Sequence, residues 1–177
     1  MQLRPEIQIK SMIKAMTEVV LPAVDENNAL AVEQAQLIIG HLNLIAVRLP
    51  LQFRADRNAL DRLISYTHDV LESSDGEQAA LVAAQADAAD VLSRAKAEPQ
   101  ELVDAARRIT EELDDNIRAI FDGDDEKATN ALMANTLKMS EEQLLRDRSW
   151  LIMQGWEPDA SIVPPIESLL EPLNSEA

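Results

Sequence analysis

Apolar residues recur every three or four positions through most of this chain, the spacing of one face of a helix. In residues 5–21 the stripe is Ile9, Met12, Ile13, Met16 and Val20. Pro5 suits its first turn, where a missing N–H leaves nothing unpaired. Pro22 closes the segment, and the polar run 25–28 supplies a turn and an N-cap. Residues 29–49 are the most apolar. Ala31, Ala35, Ile38, Leu42, Ile45 and Leu49 follow a 4-3-4-3-4 spacing, like a coiled-coil seam. Val32, Ile39 and Ala46 widen that face, while Leu37, Leu44 and Val47 lie on the other side. A helix apolar on both sides is central or sits in a subunit interface. Pro50 marks its end.

The third segment, residues 52–72, aligns Phe53, Leu60, Ile64, Thr67 and Leu71, with Leu63 and Val70 beside them. Ser74, Asp75, Gly76 and Glu77 read as a turn and a capping box. Residues 77–97 form an alanine-rich helix in which Ala80, Ala84 and Ala88 let another axis approach closely. Pro99 opens the fifth helix, 99–121, striped by Leu102, Ala106, Ile109, Leu113 and Ile120. An acidic turn at 122–126 caps the sixth, 125–154, and a second capping-box pattern at Ser140 predicts a break or kink there. Asn116 and Asn135, at the edges of their stripes, read as register-fixing residues. Four prolines after residue 157 rule out a further long helix. The pattern predicts an all-α fold, an antiparallel bundle of about six helices over residues 1–157. A Pro-rich, partly irregular tail, 158–177, packs on the bundle or on a partner.

Composition supports helix: 4 glycines and 3% aromatic residues leave little material for strands and hairpins. No cysteine is present, which removes disulfides, thiolate metal sites and a cysteine nucleophile. Net charge is −16, from 32 acidic and 16 basic residues, a field that opposes nucleic acid and anionic bilayers alike. No stretch approaches the ~20 consecutive apolar residues of a membrane span, and the N-terminal charges do not make a signal peptide. These features suggest a cytoplasmic protein of bacterial style, with no nucleic-acid or membrane partner.

Catalytic and metal motifs are hard to find. His41 and His68 lack a glutamate three residues earlier, where Ile38 and Ser65 stand, so a Glu-x-x-His di-iron site is excluded. The acidic turn fails as a calcium loop, because counting back from Gly123 places Arg118 at the first ligand position. Isolated glycines give no phosphate loop. No metal or cofactor is expected.

Arg48, Arg54, Arg57 and Arg62 concentrate basic charge in so acidic a chain. With His41 and His68 they make a candidate site for a carboxylate, phosphate, acyl or CoA-type ligand; ordinary pairing, such as Arg57 with Asp61, is the simpler alternative. Gly40, in mid-helix, points to a close helix crossing or to a ligand approaching the backbone. Leu37, Leu44, Val47, Trp150 and Trp156 are candidate interface residues. The expected function is that of a non-catalytic interaction protein that forms a homo-oligomer, such as a dimer, through helix two or four, or docks on a protein partner. A small-molecule binder is the alternative. An enzyme using His41, His68 or Tyr66 ranks behind both.

Overall fold

Prolines and capping side chains cut the chain into six long helices. A computed structural model describes residues 4–73 and 78–171. The expected capping box at Ser74 to Glu77, and Pro172 and Leu173 of the tail, lie outside these residues. Among the described residues there is no strand. Helix α1 is Pro5–Ala15, continued by a π turn, Met16–Val20, and a last turn, Leu21–Ala23. Pro22 therefore lies inside the final turn. The wider π turn relieves the clash between a proline ring and the carbonyl four residues back. Helix α2 is Ala29–Arg48, N-capped by Asn28, whose Oδ1 accepts from Ala31 N at 3.1 Å. Pro50 reduces the next three residues to a 3-10 turn, Leu49–Leu51, before α3, Gln52–Glu72.

Helix α4 is Ala79–Ser93 and α5 is Pro99–Asp122, where Glu98 N donates to Glu101 Oε2 at 2.8 Å. Helix α6, Glu126–Leu151, starts on Asp125, whose Oδ1 accepts from Lys127 N and Ala128 N. It runs unbroken through Ser140, contrary to the expected break. The Ser140 hydroxyl bonds back to the Thr136 carbonyl at 2.8 Å instead of capping a new helix. A 3-10 turn, Ile152–Gln154, and Gly155 at φ +73° end the run, and a one-turn helix α7, Ile166–Leu169, lies in the tail.

The chain divides into two compact units, each built from two separate segments of the sequence. Unit 1 comprises Met1–Gln52 and Asp147–Pro164, and unit 2 comprises Phe53–Arg146 and Pro165–Ala177. Unit 2 holds the main core, built by Leu60, Val70, Leu81, Ala88, Leu102, Ile109, Leu113 and Leu132 from α3, α4, α5 and α6. Helices α4 and α5 pack most closely, and Ala84 and Ala88 are buried. Two of the three alanines in the small-residue stripe of α4 thus serve internal packing, while Ala80 stays exposed. The tail turns back within unit 2: Ile166 and Leu170 are buried, and Arg54 donates to the carbonyls of Leu170 and Glu167 at 3.1 and 2.9 Å.

In unit 1, α2 is the central element. It packs against α1 and against the Ile152–Gln154 turn; Ala35 and Leu44 are buried, Ala31, Val32, Ile39, Leu42 and Ala46 are half-buried, and Arg48 bonds the carbonyls of Ser149 and Trp150. A Cβ on Gly40 would meet only Gln154 Oε1 at 3.8 Å, an ordinary contact, so no close helix crossing explains that glycine.

Candidate docking face and polar sites

Among the described residues, 13 of the 20 exposed large apolar side chains belong to unit 1. Those on α2 are Leu30, Leu37, Ile38, Ile45 and Val47. The expected seam is thus only half used: Ala35 and Leu42 turn inward, whereas Ile38 and Ile45 keep 48% and 47% of their surface in water. On the helical wheel Leu30, Gln34, Leu37, Ile38, His41 and Ile45 form one continuous strip about 23 Å long, with His41 its only ionisable member.

A loop of five residues joins α1 to α2, which makes the pair an antiparallel hairpin. In that arrangement Met12 and Ala15 of α1 fall on the same side as Ile38 and Ile45. Lys10 and Lys14 fall on the other side, with Gln36 and Asn43. One side of the hairpin is therefore apolar and free of Lys, Arg, Asp and Glu, and the other is polar. By length and composition the helical run Ala29–Glu72 contains a window apolar enough to cross a membrane. A search for consecutive apolar residues passes over it, because Gln34, Gln36, His41 and Asn43 interrupt the run.

Of the expected interface residues, Leu37 and Val47 are exposed and Trp156 is the most open, at 64%. Leu44 is buried inside unit 1. Trp150 is half-buried beneath the Arg48 guanidinium, 5.5 Å from its ring centre.

The arginines act mainly as caps. Arg48, itself buried, donates to the carbonyls of Ser149 and Trp150 at 2.9 and 3.0 Å, at the C-terminal end of α6. Arg54 does the same for α7, and Arg57 for α4 through the carbonyls of Leu92 and Arg94. A guanidinium at a helix C-terminus satisfies orphan carbonyls and complements the negative end of the dipole. Arg62 pairs with Glu142, and burial pulls its guanidinium below the ordinary arginine range while the Asp61 charge acts the other way.

Within unit 2, Arg54 and Arg57 share a cavity of about 330 Å³ with Phe53, Asn58, Asp61, Leu92 and Leu170. Asn58 is 5% exposed; its Nδ2 donates to the Glu171 carbonyl at 3.0 Å, while its buried Oδ1 has no partner among the described residues. The hydrogen bond to a carbonyl fixes which end of the amide is which. His68 does not line this cavity; its Nε2 lies 3.4 Å from Glu72, on the surface. His41 belongs to unit 1, is exposed, and its Nδ1 bonds the Leu37 carbonyl at 2.8 Å.

A polar cavity of about 110 Å³ between α3 and α6 gathers Arg62, Ser65, Tyr66, Asp69, Asn135, Lys138 and Glu142, a juxtaposition no motif spacing reveals. Its tyrosine hydroxyl is 2.7 Å from Thr136 Oγ1, and Asn135 reaches Asp69 O and Ser73 Oγ at 3.4 Å. Among the described residues no three His, Cys, Asp or Glu side chains are placed to hold a metal. Comparison with protein-family models, with curated proteins and with solved structures finds no match.

Proposed function

We propose that this chain is a non-catalytic interaction protein in which unit 2 is a self-supporting acidic scaffold and unit 1 is the docking part. The observation that carries this reading is the concentration of exposed large apolar side chains in unit 1, 13 of the 20 among the described residues. A monomer gains nothing by leaving a charge-free apolar strip in water, and such a patch rimmed by polar residues marks an interaction site. The formal charge of −16 favours a protein partner over nucleic acid. The test replaces Leu37, Ile38 and Ile45 together by glutamine. A docking strip predicts unchanged helicity, a melting temperature within a degree or two of wild type, and less binding of an apolar dye. A collapse in stability would instead make these residues core.

A second reading attaches to the unit 2 cavity. Its walls are apolar at Phe53, Leu92 and Leu170, and the orphan Oδ1 of Asn58 is an acceptor awaiting a donor. Because Arg54 and Arg57 already serve carbonyls, a small molecule carrying a hydrogen-bond donor fits better than one recognised by anion charge alone. Native mass spectrometry of the freshly purified protein tests this: a co-purified small molecule supports it, and a bare chain at 19.6 kDa opposes it.

A further inference from the structure

We infer that the occupant of the α2 strip is a second copy of this chain, docked antiparallel about a two-fold axis at the level between His41 and Leu42; the inference rests on the docking role proposed above for unit 1. Three observations carry it. The first is exposure. Leu30, Leu37, Ile38 and Ile45 keep much of their surface in water along a strip about 23 Å long, the length of an ordinary helix–helix contact.

The second observation is register. An axis midway between positions 41 and 42 brings Ile38 of one protomer level with Ile45 of its partner, and Ile45 level with Ile38, so one strip is its own complement. An isologous contact requires that self-complementarity, with each residue serving twice. Two Ile38–Ile45 layers then flank the two His41 side chains, and Met12 of each hairpin rims the contact. The third is charge. Two copies at −16 each repel one another, so they can meet only where charge is low. Unit 1 carries five basic and eight acidic residues, net −3, against −13 for unit 2, and the strip itself has no Lys, Arg, Asp or Glu. Another exposed apolar row, Met133, Leu137 and Leu144 on α6, is flanked by Glu141 and belongs to the strongly acidic unit, which makes it a poorer place for like to meet like.

The experiment is sedimentation velocity of the full chain from 1 to 100 µM, with Ile38→Glu, Ile45→Glu and Leu137→Glu beside it and a melting curve for each. Expected is a species of about twice 19.6 kDa for wild type and Leu137→Glu. Either isoleucine variant should be a monomer throughout, its dissociation constant raised at least a hundredfold, with melting changed only through lost association. Since the chain lacks cysteine, His41→Cys with a short bis-maleimide should yield covalent dimers, whereas Asn43→Cys on the opposite side should not. A wild type monomeric at 100 µM overturns the second copy, as does dissociation by Leu137→Glu alone. If that monomer floats with phosphatidylcholine vesicles and Ile38→Glu abolishes flotation, the strip belongs to lipid and the inference again falls. In the monomeric case, an Ile38→Glu variant that melts like wild type leaves the docking reading standing, whereas one that unfolds removes both.

Discussion

The two units divide between them properties that usually occur together. Unit 2 is strongly acidic, net −13 over its 107 residues, yet nearly all the tightly sealed core of the chain lies in it. Unit 1 is close to neutral, net −3 over 70 residues, and buries little beyond Ile9, Ala35, Leu44 and Val163. Charge keeps a surface soluble and separate from its neighbours, and apolar exposure does the reverse. Under the docking role proposed above, placing one on each unit would let the molecule resist random association while keeping the α2 face able to associate. The comparison also separates what stabilises each part. Unit 2 relies on side-chain packing between four helices. Unit 1 relies on a thin layer of contacts on either side of α2 and on the buried Arg48 cap.

The sharpest way to test that contrast is to delete apolar bulk in each unit. Leu60→Ala or Ile109→Ala, at positions with no exposure, should lower unfolding free energy by about 2–5 kcal/mol. Ile38→Ala in dilute protein should change it by less than about 1 kcal/mol. Urea titration reads both, and equal losses would erase the distinction between the units. A smaller effect is expected at Arg48. Arg48→Met strands two carbonyls at the end of α6 and should cost about 1–3 kcal/mol. Lysine should not restore the loss, since one ammonium cannot reproduce the guanidinium fork. Full rescue by lysine would mean charge, not geometry, matters there.

Gly40→Ala goes in the opposite direction. With no neighbour nearer than Gln154 Oε1 at 3.8 Å, an added methyl should stabilise α2 by about 0.5–1 kcal/mol in thermal or urea unfolding. Destabilisation would restore the close crossing that the sequence suggests. The weakest effect is expected at the part-buried pair of Arg148 with Glu157, joined by two hydrogen bonds of 2.8 and 2.7 Å. The hydrogen bonds from Arg148 hold the Glu157 carboxyl below its ordinary value. A folded-state value below the unfolded one means that the stabilisation is present above the unfolded carboxylate range and is lost as pH falls through the folded value. Urea unfolding should therefore separate wild type from Glu157→Gln at pH 7 and bring the two together in strong acid. A difference that persists there would point to packing.

Much of the fold is legible in the sequence because its punctuation is covalent or local. Pro5, Pro50 and Pro99 fix helix ends by geometry, and Asn28 and Asp125 cap the residues that follow them. The stripe of α5 is read correctly, with Leu102, Ile109, Leu113 and Ile120 all buried, because that helix has one apolar side and a charged remainder. Helix α2 defeats the same method. With apolar residues on both sides, periodicity alone cannot say that Ile38 and Ile45 stay outside while Ala35 and Leu42 turn in. Ser140 misleads because its hydroxyl can bond either forward, as a cap, or backward to Thr136, and local pattern does not decide between them. The arginine cluster is visible as a cluster, but its role is not. Arg48 reaches carbonyls 101 and 102 positions away, and Arg54 reaches across 113 and 116. Contacts so distant in sequence leave no spacing to read, and the same holds for the polar cavity that joins Arg62 and Asp69 to Asn135 and Lys138.

That α2 is finished only by association, while unit 2 is complete alone, is tested most directly by hydrogen–deuterium exchange on the intact chain at 1 and 100 µM. Expected is concentration-dependent protection of amides within residues 34–46, with those of α4 and α5 exchanging at the same rate at both concentrations. Equal protection of the two regions at 1 µM, with no gain at 100 µM, would contradict it.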